Sequence, residues 1–185
     1  MRHILVGTVC SGRQQATEHL RQHAQELQRC LGATPVPGTL NIVLQRPVGL
    51  DFQQCRLVCG KHFFWTALAA GIPALAYRWP GCPLHIVEIV APITLRMHLG
   101  ADDGDQVSIA VEGTSALRLP QYLAWLMLWG SRQDRFYKSN DYPRLKCSKR
   151  LAKHASQASM SYAVAGFHLS APHQNRNHSL VCFKG

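Results

Sequence analysis

The sequence predicts an all-β-dominated protein: a small barrel of six or seven short strands with one or two short helices, followed by a basic C-terminal extension. Three observations lead there. Short apolar runs recur between turn signals and do not alternate with long helical runs, as a parallel βαβ sheet would require. A single stretch before residue 115 carries a sustained helical stripe. Charge is also unevenly placed: residues 1–119 hold ten Lys/Arg against eight Asp/Glu, and residues 120–185 hold ten against two. The barrel is therefore expected within 1–115, with a helix and a basic, poorly ordered stretch over 116–185. Basic character of that kind suits weak contact with polyanions such as nucleic acid or anionic lipid, and says nothing about fold.

The elements follow in order. Ile4–Cys10 is rich in β-branched residues and ends at the Ser11-Gly12 turn signal, which predicts a first strand. Ala16, Leu20, Ala24, Leu27 and Leu31 recur at helical spacing, and Gly32 is placed to end the helix. After the rigid Thr34-Pro35-Val36-Pro37-Gly38 connection, 39–45 alternates, with Leu40, Ile42 and Leu44 on one face and Thr39, Asn41 and Val43 on the other. Further strands are expected at 55–59, 62–68, 73–78, 85–91 and 106–112, the last after the Asp102-Asp103-Gly104-Asp105 turn. Pro92 opens a short helical turn through Leu99, and Leu119–Leu128 reads as one more helix.

Seven cysteines are scattered at positions that form no metal-binding pairs, and the Cys55/Cys59 spacing exceeds a tight zinc pair. An odd count without a visible secretory signal predicts reduced thiols in a cytoplasmic protein. The apolar runs at 4–10 and 117–129 are too short to span a bilayer.

No P-loop, nucleophile elbow, zinc-protease or dinucleotide fingerprint occurs. The informative segment is Pro37-Gly38-Thr39-Leu40-Asn41. Two residues apart on a strand, Thr39 and Asn41 share a face, and a hydroxyl with an amide carbonyl makes a pair of hard, neutral oxygen ligands. Such a pair suits Mg²⁺ that arrives with the negative charge of phosphate oxygens. The alternative is two polar residues on the solvated face of a half-buried strand, and spacing alone leaves both open.

Several stretches in fixed order resemble the archaeal CTP-dependent riboflavin kinases. They are Gly7-Thr8-Val9-Cys10-Ser11-Gly12, Pro37-Gly38-Thr39-Leu40-Asn41, Gly60-Lys61-His62-Phe63-Phe64, then His85-Ile86-Val87-Glu88-Ile89-Val90-Ala91-Pro92-Ile93-Thr94-Leu95-Arg96 and Asp103-Gly104-Asp105-Gln106-Val107. The resemblance implies a six-stranded cradle-loop barrel and a CTP-dependent phosphotransferase that acts on an alcohol, converting riboflavin to FMN. It implies Mg²⁺ on Thr39 and Asn41, and flavin beside Glu88. It implies nucleotide contacts from Gly12, Arg13, Gln14, Gln15, Ala16 and Thr17, and again from Ile93, Thr94, Leu95 and Arg96. Independently of the resemblance, a helix start at Pro92 and an arginine at 96 are suited to phosphate.

One stretch departs from the family pattern. The family's turn runs on into a glycine-rich phosphate loop, whereas here Arg13-Gln14-Gln15-Ala16-Thr17-Glu18 follows Gly12 without a glycine. Pro80-Gly81 also stands near where the family uses a polar residue beside the flavin. Two other functions stay open: a related phosphotransferase acting on another alcohol, and a non-enzymatic binding module whose tail contacts nucleic acid or membrane.

Overall fold

The computed structural model describes residues 2–13, 15–130 and 137. In order these form β1 (Arg2–Cys10), α1 (Ala16–Gln22), α2 (Ala24–Leu31), β2 (Leu40–Leu44), β3 (Gly49–Leu50), β4 (Leu57–Cys59), β5 (His62–Ala69), β6 (Ile72–Arg78), β7 (Ile86–Val90), α3 (Leu95–Leu99), β8 (Gln106–Glu112), β9 (Thr114–Ser115) and α4 (Leu119–Trp129). Gln14 and the remainder of 131–185, where the basic tail was expected to be poorly ordered, lie outside the described residues.

Six strands close on themselves in the order β5-β6-β7-β2-β1-β8, with every neighbouring pair antiparallel. Closure falls on β5, whose C-terminal half pairs Ala67 with Val111 and Ala69 with Ile109, while its N-terminal half takes up the short β4. Closing the sheet leaves no long unpaired edge among these six strands.

Strand alternation sorts the side chains into two clusters. Val9, Ile42, Trp65, Ala67, Ala74, Ala76, Val87, Ile89 and Ile109 point inward and form the barrel core. The many alanines fit because a six-stranded barrel has a narrow lumen. The next residues along β5, β6 and β7 (Phe64, Leu75, Tyr77 and Val90) point outward and pack with Leu20, Leu27 and Leu31 of α1 and α2. The outer wall is thus covered by helix on one part and free to form a site on another.

The structure corrects several details. The predicted helix over 16–31 is two helices, separated at His23, which has φ −115° and ψ 22°. A one-residue break keeps the three- and four-residue phase, so Leu20, Leu27 and Leu31 remain on one buried stripe and the sequence pattern shows no interruption. The strand expected at 55–59 is shortened to Leu57–Cys59, because Asp51 accepts a bond from the Gln53 N–H (2.9 Å) and caps a single 3-10 turn at Phe52–Gln54. The helix expected from Pro92 begins only at Leu95. The two-residue ladder of β3 with β9 is too short to leave a periodic signal.

Helix α4 is anchored by Trp125 and Trp129, whose rings lie 5.7 and 5.4 Å from that of His85. Trp125 is buried, and its Nε1 donates to His85 Nδ1 at 2.8 Å, which places the imidazole proton on Nε2. Among the described residues no helix is long and apolar enough to cross a membrane.

Candidate functional site

Register lines up the site across four strands. Cys10 pairs with Asn41, Asn41 with Glu88, and Glu88 with Tyr77. Directly paired residues in antiparallel strands point to the same side, so β1, β2, β7 and β6 present these side chains as one row on the outer wall. The row opens into a cavity of about 780 Å³, also lined by Gly12, Arg13, His19, Lys61, Arg96 and Tyr137.

Asn41 and Glu88 are both buried, at 7% exposure each, although both stand on the outward side of the barrel. Of the two readings left open for this pair, a solvated face is therefore excluded for Asn41, which the turn at Gly12 and Glu88 cover. A carboxylate only accepts and a backbone N–H only donates, which fixes the Asn41 amide. Its oxygen accepts from the Gly12 N–H at 3.0 Å, and its nitrogen donates to Thr39 Oγ1 (3.0 Å) and Glu88 Oε1 (3.2 Å). Thr39 Oγ1 donates to Glu88 Oε2 at 2.9 Å, and Tyr137 Oη donates to Glu88 Oε1 at 3.0 Å. Glu88 thus collects three donors from two separate segments. Burial raises its pKa, and the bonds from Thr39 and Tyr137 oppose that rise.

Gly12 is required by proximity. A Cβ at that position would lie 2.2 Å from the Asn41 amide, at the atom that accepts from the Gly12 N–H, so any side chain would displace Asn41 from its network. The turn around Gly12 is tied down from the other side by Asp103, which accepts from the Ser11 N–H (3.0 Å) and pairs with Arg96 (2.5 Å). The bond from Ser11 holds the Asp103 carboxyl below its ordinary value, against an opposing effect of burial and with further lowering by Arg96.

The opposite side of the cavity is cationic and aromatic. His62 Nδ1 lies 2.8 Å from Tyr77 Oη, and the His62 ring is 4.5 Å from that of His19. Burial, then the neighbouring His19 and His23, lowers the His62 pKa. Burial, then Glu88, raises that of Tyr77, so the phenol stays protonated beside the imidazole.

The predicted residues divide. Thr39, Asn41, Glu88, Gly12, Arg13, Gln15, Ala16, Thr17 and Arg96 line one cavity. Ile93 and Leu95 instead turn their side chains into the barrel core, and Thr94 is exposed. Gln14 is outside the described residues. Sequence reasoning missed His19, Lys61, His62, Tyr77 and Tyr137. Tyr77 stands opposite Glu88 in register, and Lys61-His62 belongs to a motif already singled out; Tyr137 gave no signal.

Among the described residues no group of three or more His, Cys, Asp and Glu comes together as a metal centre. Cys55, Cys59 and Cys82 are free thiols. Burial pushes Cys59 up to about 11 and Cys82 up to about 12, which makes them poor nucleophiles.

Comparison with known proteins agrees with this geometry. No protein-family model matches the chain. Curated riboflavin kinases of Pyrococcus furiosus and Pyrococcus abyssi are each 32% identical to it, and that of Thermococcus kodakarensis is 29% identical. In each case the match covers 58% of this chain and 58% of the relative, so the chain spans little more than half the length of the curated relatives it matches. The relatives that the chain matches bear the name of the family its motifs resemble, riboflavin kinase.

Proposed function

We propose that the chain is a CTP-dependent riboflavin kinase. It transfers the γ-phosphoryl of CTP to the terminal ribityl hydroxyl, giving FMN and CDP. The hydroxyl oxygen bonds to the γ-phosphorus, the bond from that phosphorus to the β,γ-bridging oxygen breaks, and the hydroxyl proton is released. The observation that carries this reading is the Thr39–Asn41–Glu88 network beside Arg13 and Arg96 in one cavity. Oxygen donors and cations meet there, as transfer between a nucleotide and an alcohol requires.

Each residue has a role that follows from its place. Glu88 is the only carboxylate among the described residues that line the cavity, and it hydrogen-bonds the flavin. Arg13 and Arg96 face the phosphates, and Gly12 lets the loop approach closely enough to fix Asn41. Thr39 and Asn41 each carry a neutral hard oxygen beside the charge of Glu88, and to hold Mg²⁺ together with Thr39 the Asn41 amide would turn its oxygen from the Gly12 N–H toward Thr39. Bound with the nucleotide, Mg²⁺ would neutralise charge on the transferring phosphoryl group.

A second reading, transfer to another alcohol, is favoured by one observation. The Tyr137 hydroxyl already donates to Glu88, so a phenol of the chain itself stands at the acceptor's carboxylate. The deciding experiment is a turnover assay with riboflavin, Mg²⁺ and each nucleoside triphosphate in turn. FMN formed with CTP and far more slowly with ATP supports the proposal. No FMN with any nucleotide, together with phosphorylation of a different alcohol, overturns it.

A further inference from the structure

His62 opens β5, Lys61 stands in the turn before it, and His19 lines the same cavity from α1. All three side chains line the same cavity as Arg13 and Arg96. Glu88, the carboxylate of that cavity, is engaged by Thr39, Asn41 and Tyr137. Glu18, next to His19, is engaged by Arg21 at 2.7 Å and by Gln22. The carboxylates nearest this side are therefore already bonded elsewhere, and the side as a whole is basic.

We propose that His19, Lys61 and His62 form a subsite for a phosphate chain, and that occupation of this subsite brings a proton onto the His19–His62 pair. The inference rests on the kinase reading only for the identity of the natural ligand, a nucleoside triphosphate. It supplies what the missing glycine loop would otherwise provide. Side-chain cations on α1 and β5 replace backbone N–H groups as the partners of the phosphate oxygens.

The coupling follows from the geometry. Two imidazoles with ring centres 4.5 Å apart repel one another when both are charged. His23, whose ring is 6.4 Å from that of His62, adds to this repulsion. Tyr77 holds His62 Nδ1 at 2.8 Å, which leaves Nε2 as the ring position without this bond. In the free protein His62 is held below the ordinary imidazole value by burial and by these two neighbours, and is neutral near pH 7. A phosphate chain supplies the opposite charge and raises the His62 pKa. Between the free and bound pKa values, binding takes up a proton, so affinity falls as pH rises through that window.

The test uses the full chain and two probes, inorganic tripolyphosphate and Mg·CTP, titrated calorimetrically from pH 5.5 to 8. Affinity is expected to rise toward acid pH, by up to about tenfold per pH unit for each proton taken up. Buffers of different ionisation enthalpy should report that proton directly. Tripolyphosphate titrates too, and the basic tail attracts it, so the readout is the difference between wild type and variants. His19→Gln, an exposed position, and His62→Gln should each flatten the pH dependence, and Lys61→Ala should weaken binding at every pH. Wild-type pH dependence in both histidine variants, with the fold confirmed by circular dichroism, overturns the proposal. Histidine-dependent binding without FMN formation would sink the riboflavin reading and leave this subsite standing. FMN formation with histidine-independent binding does the reverse.

Discussion

The two sides of the cavity are built in different ways. Thr39, Asn41 and Glu88 sit on or beside adjacent strands, and strand register brings them together. Each is engaged in a shared hydrogen-bond network, and two of the three are buried. The facing side comes from the loop after Gly12, from α1 and from the turn into β5, and it carries cations and imidazoles that are partly or fully exposed. The difference shows a division of labour. The strand side fixes positions to within a hydrogen bond, whereas the loop side supplies charge and tolerates sequence change. That tolerance explains how the glycine loop can be absent while the Gly-Thr-Leu-Asn segment is intact.

The sharpest way to break this contrast is Asn41→Leu. It should lower turnover by orders of magnitude, because the amide that links Gly12, Thr39 and Glu88 is gone. Stability should fall by about 1–3 kcal/mol, as buried partners lose their bonds. Circular dichroism should still report the barrel, because strand alternation is kept. Activity at the wild-type level in this variant would remove the strand side as the chemical centre.

A smaller effect is expected from Gly12→Ala. The added methyl enters the space of the Asn41 amide, so turnover should fall roughly tenfold, the equivalent of about 1.4 kcal/mol in the barrier. Arg13→Ala, one residue further on, should instead weaken nucleotide binding and leave turnover at saturation nearly unchanged. Steady-state kinetics separates the two; equal loss of kcat in both variants would erase the distinction between positioning and charge.

Tyr137 sharpens the comparison from a third direction. We predict that a chain ending at Gly130 folds and retains phosphoryl transfer, because the residues that line the cavity up to Arg96 are all present. With the phenol removed from Glu88, the acceptor KM should change several-fold, and Tyr137→Phe in the full chain should reproduce the change. Polyanion affinity should drop in the shortened chain, because most of the net positive charge lies beyond residue 119. Loss of all transfer with a folded barrel would make the segment beyond Gly130 part of the active site.

The smallest effect is electrostatic. The Asp103 carboxyl is held below its ordinary value, so the folded state binds its proton less readily than the unfolded one. Its contribution is fully present above the unfolded pKa and is lost as pH falls through the folded one. Because the group is largely exposed, Asp103→Asn should lower the melting temperature only slightly at pH 7, with the difference vanishing in acid. A difference that grows toward low pH would contradict the assignment.

Much of this was legible in the chain. The strands at 4–10, 62–68 and 106–112 announced themselves through apolar runs bounded by turns, because a strand's pattern is local. Thr39, Asn41 and Glu88 were picked out by their motifs. Their mutual contact was not visible, since 47 residues separate Asn41 from Glu88 and only register brings them into a pair. Tyr137 lies 49 residues beyond Glu88, in a stretch with no apolar stripe, so nothing local marked it.

The sequence by itself determined the barrel class, the order of its strands, the helical stripe against the wall and the segments that carry the site. These depend on periods of two and 3.6 residues and on turn residues, which operate over a few positions. Only the tertiary structure decided that the strands close through β5 and β8, that the stripe breaks at His23, and that Asn41 is buried. It also decided that His19 and His62 meet beside Tyr77, the neighbour of Glu88 on β6. Each of these depends on which distant segments lie side by side, and that is set by packing and register across the whole barrel, with no trace in local spacing.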